Sequence, residues 1–184
     1  MNQTVRKVWN AITWILVLCV ACLAFLLAGV RLIGFTPYTV LSGSMEPVYP
    51  VGSLIYVRKV PPEEVRVGDP ITFVLDENLT VATHRVIEVD SETRQFRTKG
   101  DANSAPDGAP VLFENLIGVP KFSIPKLGFA ANWITKPPGM YISGAAVVIL
   151  LVLLFLPDLL DRADAADRNA AEKKARREAE ENPR

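Results

Sequence analysis

The sequence predicts a mainly β domain between two membrane-spanning helices, and three observations support this prediction. Two long stretches, residues 11–30 and 140–156, contain no charged side chain and are mainly apolar. Between them, short runs of β-branched and aromatic residues alternate with breaks that contain Gly, Pro, Asp or Asn. No useful length of helical periodicity occurs over residues 31–120. We therefore expect one β domain with an apolar helix on each side of it in the chain.

The first apolar stretch, residues 11–30, has the length of a transmembrane helix. As an α-helix it would span about 30 Å, which matches the hydrocarbon core of a bilayer. Basic residues precede it, and Trp9 and Trp14 lie near its start, where interfacial anchors are common. The alternative is a cleaved signal peptide, whose apolar region usually has only about 7–15 residues. The sequence therefore predicts a cytoplasmic N-terminus over 1–10 and a signal-anchor helix over 11–30.

The segment between these helices, residues 31–138, is expected to form the extramembrane domain. Its apolar runs are rich in Val, Ile, Thr, Tyr and Phe, which favour strands. Prolines and acidic turn residues separate the runs, because proline cannot donate to a strand ladder. Strands are predicted at 52–57, 71–75, 80–89 and 95–98, with one or two more at 112–113 and 116–119.

The second apolar stretch predicts another span, over 139–157. Its uncharged part is near the lower limit of about 17 residues for a spanning helix. A hydrophobic hairpin or a buried helix is the alternative, but nothing nearby is large enough to bury it. The remaining residues, 158–184, mix both charges densely and predict an exposed, helical cytoplasmic tail. With basic residues near both termini, the positive-inside tendency places the β domain on the extracytoplasmic side.

Candidate catalytic residues occur in the β segment. Residues 41–47 are expected to form a tight, exposed strand edge that presents the hydroxyl of Ser44. A free hydroxyl is a poor nucleophile at neutral pH and needs a base, and His84 is the only histidine in the chain. The loop that follows contains Asp101 and Asp107, either of which could accept the Nδ1 proton of the imidazole. Serine, histidine and aspartate thus occur in that order along the chain, each on a strand end or in a loop.

Each of these residues also has an ordinary explanation. Serines and aspartates are common in turns, a strand histidine is usually structural, and Arg85 is either an exposed charge or a partner of one aspartate. A serine–lysine pair, with Lys59 or Lys99 as the base, is a second catalytic alternative. The joint occurrence of the serines, the single histidine and the two aspartates in a membrane-tethered β domain nevertheless favours catalysis by serine and histidine.

Several classes of function are not expected. Positive and negative side chains balance at 20 each, so the sequence shows no nucleic-acid footprint. The lone histidine and the confinement of both cysteines to the first apolar stretch argue against a metal site. We expect no cofactor.

Four short motifs follow one another along the chain. They are Ser42-Gly43-Ser44-Met45-Glu46-Pro47, Gly68-Asp69, His84-Arg85, and Lys99-Gly100-Asp101 with Asp107. Their order resembles that of type I signal peptidases. The similarity is to the archaeal and endoplasmic-reticulum type, found also in Gram-positive bacteria, with histidine where the common bacterial type has lysine. It covers roughly residues 38–120 and both apolar stretches.

The resemblance implies a signal-peptidase-like β fold and a Ser-His-Asp catalytic arrangement. By this similarity Ser44 is the nucleophile and His84 is the general base. Asp107 matches the triad aspartate and Asp101 matches a second required aspartate, and a swap of their two roles stays open.

The same resemblance implies a binding region around the nucleophile. Ser42 matches a position whose side chain helps the oxyanion hole in the lysine type. Met45 would pack beside the nucleophile, and an extended substrate would lie between the segments around Ser44 and Ala82.

The implied activity is that of a membrane-bound serine endopeptidase that removes N-terminal signal peptides. Its partners would be the lipid bilayer and exported preproteins with small residues before the cut, and accessory subunits are left open. The implied location is the cell membrane, as a multi-pass protein with an extracytoplasmic catalytic domain. The alternative from another class is a non-catalytic, membrane-anchored β module that assists the assembly of exported proteins.

Overall fold

The computed structural model describes residues 3–76 and 79–181, so parts of the predicted segments 1–10 and 158–184 lie outside the described residues. The elements in chain order are α1 Gln3–Leu27, β1 Phe35–Thr39, β2 Leu54–Arg58, β3 Pro70–Val74, β4 Val81–Asp90, β5 Gln95–Lys99, β6 Val111–Leu112, β7 Leu116–Ile124, α2 Leu127–Thr135 and α3 Gly139–Glu181. Short 3-10 helices occur at Gly29–Ile33, Pro62–Glu64 and Phe113–Asn115. The chain divides into a helical unit, up to Leu23 and from Tyr141 onward, and a β unit, Ala24–Met140.

Two helices are long and apolar enough to cross a membrane, by length and composition. They are Thr4–Leu27 within α1 and Gly139–Pro157 within α3. Most of their apolar side chains are exposed. Both cysteines, Cys19 and Cys22, are free and exposed on α1. The predicted fold class, a mainly β domain with two apolar helices, is confirmed.

The boundaries of these helices differ from the predicted ones. α1 ends at Leu27, and a 3-10 helix takes up Gly29–Ile33 before β1 begins. α3 continues through Pro157 into the charged segment without a break. The sequence separated the two segments because the composition changes from uncharged to densely charged residues after 157, but a change of composition does not end a helix. Pro157 inside the helix removes one backbone donor without ending it.

The β unit contains one seven-stranded sheet in the order β1-β2-β7-β3-β4-β5-β6. Every neighbouring pair of strands is antiparallel. Side chains of successive strand residues alternate between faces, so each strand presents one set to a core and one to its other side. β7 lies between β2 and β3 and joins the two halves of the sheet.

Three apolar clusters hold this sheet. The largest contains Ile71, Phe73, Val86, Phe96 and Phe113 among its buried members. Burying a side chain of this size typically contributes about 1.5–3 kcal/mol. The third cluster matters most for the site, because it is built from Met45, Tyr49, Ile55 and Val57.

One local prediction was wrong, and one helix was missed. The segment 41–47 forms turns and not a strand edge, because the Glu46 amide donates to the Gly43 carbonyl at 3.0 Å. The helix α2 was not predicted at all. It has only nine residues, and Lys126 before it makes no side-chain cap hydrogen bond, so the usual start signal is missing.

Candidate active site

The loop between β1 and β2 carries Ser44. Met45, the next residue, is only 2% exposed and packs into the third cluster. The Tyr49 amide donates to the Met45 carbonyl at 2.9 Å and closes a turn over that side chain. The buried methionine therefore anchors the loop, while the Ser44 hydroxyl remains at the surface of a cavity.

His84 lies on β4, opposite Ile71 of β3 in the sheet register. Its Nε2 atom is 3.1 Å from Ser44 Oγ, within hydrogen-bond reach. The imidazole side chain is 15% exposed, and the ring of Phe73 meets it edge-on at 6.2 Å between centroids. A strand and an aromatic neighbour thus fix the imidazole beside the hydroxyl.

Asp107 lies on the other side of the imidazole. Its Oδ2 atom is 2.6 Å from His84 Nδ1. The same oxygen accepts a hydrogen bond of 2.6 Å from the hydroxyl of Thr98. A carboxylate at Nδ1 favours the tautomer with its proton on that nitrogen, which leaves the Nε2 lone pair facing Ser44.

Asp101 has a different partner. Its two carboxylate oxygens accept from Arg85, at 2.7 Å from Nε and 2.6 Å from Nη2. Arg85 Nη1 also donates to the Gly68 carbonyl at 2.7 Å. The hydrogen bond with Asp101 raises the pKa of Arg85, although partial burial opposes the shift. Arg85, which follows His84 on β4, and Asp101 in the loop after β5 thus form a bidentate ion pair.

The aspartate loop contacts the nucleophile loop directly. The Ala102 amide donates to the Ser44 carbonyl at 2.9 Å. At Gly100 a side chain would be impossible without movement, because an added Cβ would lie 2.6 Å from the Ser44 carbonyl oxygen. The ion pair of Asp101 therefore holds a loop whose backbone supports Ser44.

A cavity of about 620 Å³ opens beside these groups. Its lining includes all three residues that the sequence associated with substrate or oxyanion binding, Ser42, Met45 and Ala82, together with Ser44 and His84. Ser42 Oγ lies 3.3 Å from Ser44 Oγ. Apolar side chains from β1, β2 and the hairpin before β4 make up much of the wall, so the cavity suits apolar groups. Its lining includes Tyr38, Val40, Ile55, Leu75 and Val81.

The structure thus brings together Ser44, His84 and Asp107, and it places Asp101 on Arg85. Sequence reasoning missed Thr98 and the close approach at Gly100. Threonine is an ordinary strand residue, so Thr98 gave no signal beyond its position just before Lys99-Gly100-Asp101. Within residues 3–76 and 79–181, no group of three or more His, Cys, Asp or Glu side chains could hold a metal ion.

Comparisons with known proteins bear on the first part of this site. Residues 11–99 match the family model described as signal peptidase, peptidase S26. This segment, just under half of the chain, is similar to the S26 signal peptidases. It includes the larger part of α1, Ser44 and His84, and it ends before Asp101 and Asp107.

Similar curated proteins carry signal peptidase names. Signal peptidase I W of Bacillus subtilis is 46% identical over 86 residues, which cover 45% of each chain. The signal peptidase complex catalytic subunit SEC11 of Zygosaccharomyces rouxii is 29% identical over 108 residues, 53% of this chain and 64% of the yeast protein. Human SEC11C is 37% identical over 71 residues, 37% of each chain. The chain thus matches between 37% and 64% of the length of these relatives. The predicted resemblance to histidine-containing signal peptidases is confirmed.

Proposed function

We propose that this chain is a membrane-bound serine endopeptidase that removes N-terminal signal peptides from exported preproteins. The observation that carries the proposal is the continuous line of contacts from Asp107 through His84 to Ser44, at 2.6 and 3.1 Å. Two of these three residues lie in the segment that matches peptidase S26. The names of the similar proteins support the same activity.

The geometry suits acyl transfer through serine. Ser44 Oγ attacks the scissile carbonyl carbon while His84 Nε2 takes the hydroxyl proton, and a tetrahedral intermediate forms. Asp107 stabilises the resulting imidazolium without taking its proton. His84 then protonates the leaving amine, the peptide bond breaks, and an acyl-enzyme remains on Ser44. Water, deprotonated by His84, hydrolyses the ester and releases the second product.

The oxyanion of the intermediate would be held by the Ser44 backbone amide and the Ser42 hydroxyl. The Ser42 hydroxyl already lies near the nucleophile, 3.3 Å from its oxygen. As the Ser44 oxygen bonds to carbon, the Ser42 hydroxyl can turn toward the developing charge. One such donor typically contributes about 3–4 kcal/mol to transition-state stabilisation.

The substrate would lie as an extended strand between the nucleophile loop and the start of β4, near Ala82. β1 pairs only with β2 in the sheet order, so it is an edge strand. Extended peptides commonly bind beside such edges, with alternate side chains in pockets. Met45 forms part of the floor of the cavity. The family resemblance implies small residues before the cut.

We also propose a multi-pass topology with the catalytic domain on the extracytoplasmic side of the cell membrane. The spans would be 11–30 and 139–157, flanked by cytoplasmic segments 1–10 and 158–184, with 31–138 outside. Two helices of suitable length and composition support this arrangement. Because the yeast relative is named as a subunit of a complex, co-purification from membranes should be examined for accessory subunits.

The test is cleavage of a secretory precursor by the purified full chain in detergent. Ser44→Ala and His84→Ala should each lower the rate at least about a thousandfold, as expected for members of a triad. Ser91→Ala is the matched control, since Ser91 is exposed in the turn between β4 and β5. It should cleave like the native chain.

The same experiment separates the alternatives. Equal activity in the native chain and Ser44→Ala would refute the proposed nucleophile. Activity that persists in His84→Ala alone would point to a lysine base, Lys59 or Lys99. A folded native chain without activity, even with its co-purified partners, would favour the non-catalytic β module.

A further inference from the structure

Thr98 has an unusual environment for a strand threonine. It lies on β5, its residue is only 1% exposed, and its hydroxyl donates to Asp107 Oδ2 at 2.6 Å. This acceptor is the same oxygen that lies 2.6 Å from His84 Nδ1. Two donors therefore converge on one carboxylate oxygen, one from the imidazole and one from the sheet.

A second contact ties the same two residues together. The backbone amide of Asp107 donates to the Thr98 carbonyl at 2.9 Å. Asp107 is thus held to Thr98 through both its backbone and its side chain, although it lies in a loop without regular structure. Thr98 itself is fixed by the sheet, because it pairs with Val86 of β4.

We propose that Thr98 is a positioning residue for the imidazole–carboxylate pair. It holds the carboxylate of Asp107 in the rotamer that directs Oδ2 toward His84 Nδ1. The inference rests on the proposed function, because the pair it aligns is the one assigned to the proton transfer. Thr98 acts through Asp107 and does not line the cavity.

The physical reason is that an aspartate on a loop has freedom about two side-chain torsions. A single hydrogen bond to a ring that must itself change protonation state restrains it weakly. The Thr98 hydroxyl is neutral and stays a donor throughout the cycle, so the carboxylate keeps its orientation when the ring gains and loses its proton. A threonine is suited to this task because its branched side chain is stiff about χ1.

The ordinary alternative is that the hydroxyl only satisfies a buried polar group. The two readings differ in what happens to the imidazole. If Thr98 positions Asp107, loss of its hydroxyl changes the tautomer of His84. If it only fills a buried space, the tautomer stays as it is and only stability changes.

The test compares Thr98→Val, which removes the donor at nearly constant shape, with Thr98→Ser, which keeps it. Thr72→Val is the matched control, since Thr72 is fully buried in β3, on the other side of β4 from Thr98, and its hydroxyl bonds to that of Thr83 at 2.9 Å. Cleavage gives kcat and KM for the full chain in detergent. Nitrogen-15 NMR of labelled histidine gives the tautomer of the neutral ring. Only His84 contributes to that signal, because it is the single histidine.

Thr98→Val should lower kcat about tenfold with KM unchanged, which corresponds to the loss of one well-placed hydrogen bond. The native chain should hold its proton on Nδ1, and Thr98→Val should give a mixture of tautomers. Thr98→Ser should recover both properties to within about threefold, and Thr72→Val should leave both unchanged.

The proposal is overturned if Thr98→Val keeps the native kcat and the native tautomer of His84. It is also overturned if Thr98→Ser or Thr72→Val changes kcat and the tautomer as much as Thr98→Val does. Failure of the proposed function is distinguishable, because Ser44→Ala would then cleave like the native chain. The tautomer measurement needs no activity, so it tests the hold of Thr98 on Asp107 in either case.

Discussion

The two faces of β4 use two aspartates of one loop in different ways. His84 and Arg85 are consecutive residues, and consecutive strand side chains point to opposite faces of a sheet. On one face, Asp107 lies 2.6 Å from the imidazole. On the other, Asp101 forms two hydrogen bonds with the guanidinium, at 2.6 and 2.7 Å.

The difference between these faces is whether a proton can move. Arginine stays protonated at all accessible pH values, and its hydrogen bond with Asp101 raises its pKa further. The Arg85–Asp101 pair can therefore only hold the loop that donates to the Ser44 carbonyl. Imidazole changes its protonation near neutral pH. One face thus supports the chemistry proposed above, and the other holds the aspartate loop in position against the nucleophile loop.

The largest effect is expected for Asp107→Asn. The substitution removes the charge that stabilises the imidazolium, and its amide group favours the wrong tautomer. We expect kcat to fall about a thousandfold or more while the protein keeps its fold. Precursor cleavage and circular dichroism measure the two quantities. A loss smaller than about tenfold would contradict the assignment of Asp107 to the reactive face.

Asp101→Asn should have a smaller effect on rate and a larger effect on stability. It leaves Arg85 with half of its bidentate partner, so the loop that supports Ser44 shifts, and a shift of about 1 Å can cost up to about a hundredfold in rate. The free energy of unfolding should fall by about 1–2 kcal/mol, reduced from the usual value for a charged hydrogen bond because the Arg85 side chain is 30% exposed. Denaturant unfolding and cleavage by the same preparations test this. The comparison between the two faces fails if Asp101→Asn costs more rate than Asp107→Asn.

Arg85→Lys gives a milder change on the same face. Lysine keeps the positive charge but cannot make the planar, two-pronged contact with Asp101. We expect a loss of about 1 kcal/mol in unfolding free energy and a rate within about fivefold of the native one. Loss of activity as complete as in Asp107→Asn would mean that the charge pair takes part in the reaction.

The smallest effect concerns Tyr49, which packs beneath the nucleophile loop near the Arg85–Asp101 pair. Burial raises the pKa of its hydroxyl above the ordinary 10.0, Arg85 lowers it, and the charge of Asp101 raises it. The folded state therefore retains this proton to higher pH than the unfolded chain. Its contribution to stability is fully present below pH 10.0 and is lost as the pH rises through the folded pKa.

Tyr49→Phe should consequently make the decline of unfolding free energy above about pH 10 less steep, with no change near neutral pH. Tyr56 remains in the variant as a second buried phenol with a raised pKa, so part of the decline should persist. Denaturant unfolding at a series of alkaline pH values measures the slope. An unchanged slope would show that the phenol of Tyr49 does not titrate in this range.

The nucleophile and the base could be predicted from the sequence, because the chemistry limits which residues can fill these two roles. A serine nucleophile needs a base, and only His84 can supply an imidazole. The sequence alone could not decide which of the two aspartates contacts His84, because both lie in one loop. The path of that loop is set by a hydrogen bond between the Asp107 amide and the Thr98 carbonyl, which only the structure shows. Arg85 was a usable signal for separating the two aspartates. His84 and Arg85 lie on opposite faces of β4, so each can pair with a carboxylate on its own face.

The fold, too, could be predicted only in part. The central strands were predicted because their β-branched and aromatic residues carry a clear signal, and the observed β2 to β5 lie within a few residues of the predicted ranges. β1 was missed because it contains Pro37, which strands tolerate mainly at sheet edges. The helix α2 was missed because tertiary packing of Leu127 and Ala131, and not a local start signal, holds it in place.

The positions of the two cysteines have a consequence for where and how the β unit can fold. Both thiols lie on α1, and the sequence from 24 to 140 contains none. The site is therefore assembled without any disulfide, and its folding depends on neither an oxidant nor a disulfide isomerase. The domain should tolerate reducing and oxidising surroundings equally well, and a single cysteine engineered into it for labelling would have no native partner within the domain with which to mispair.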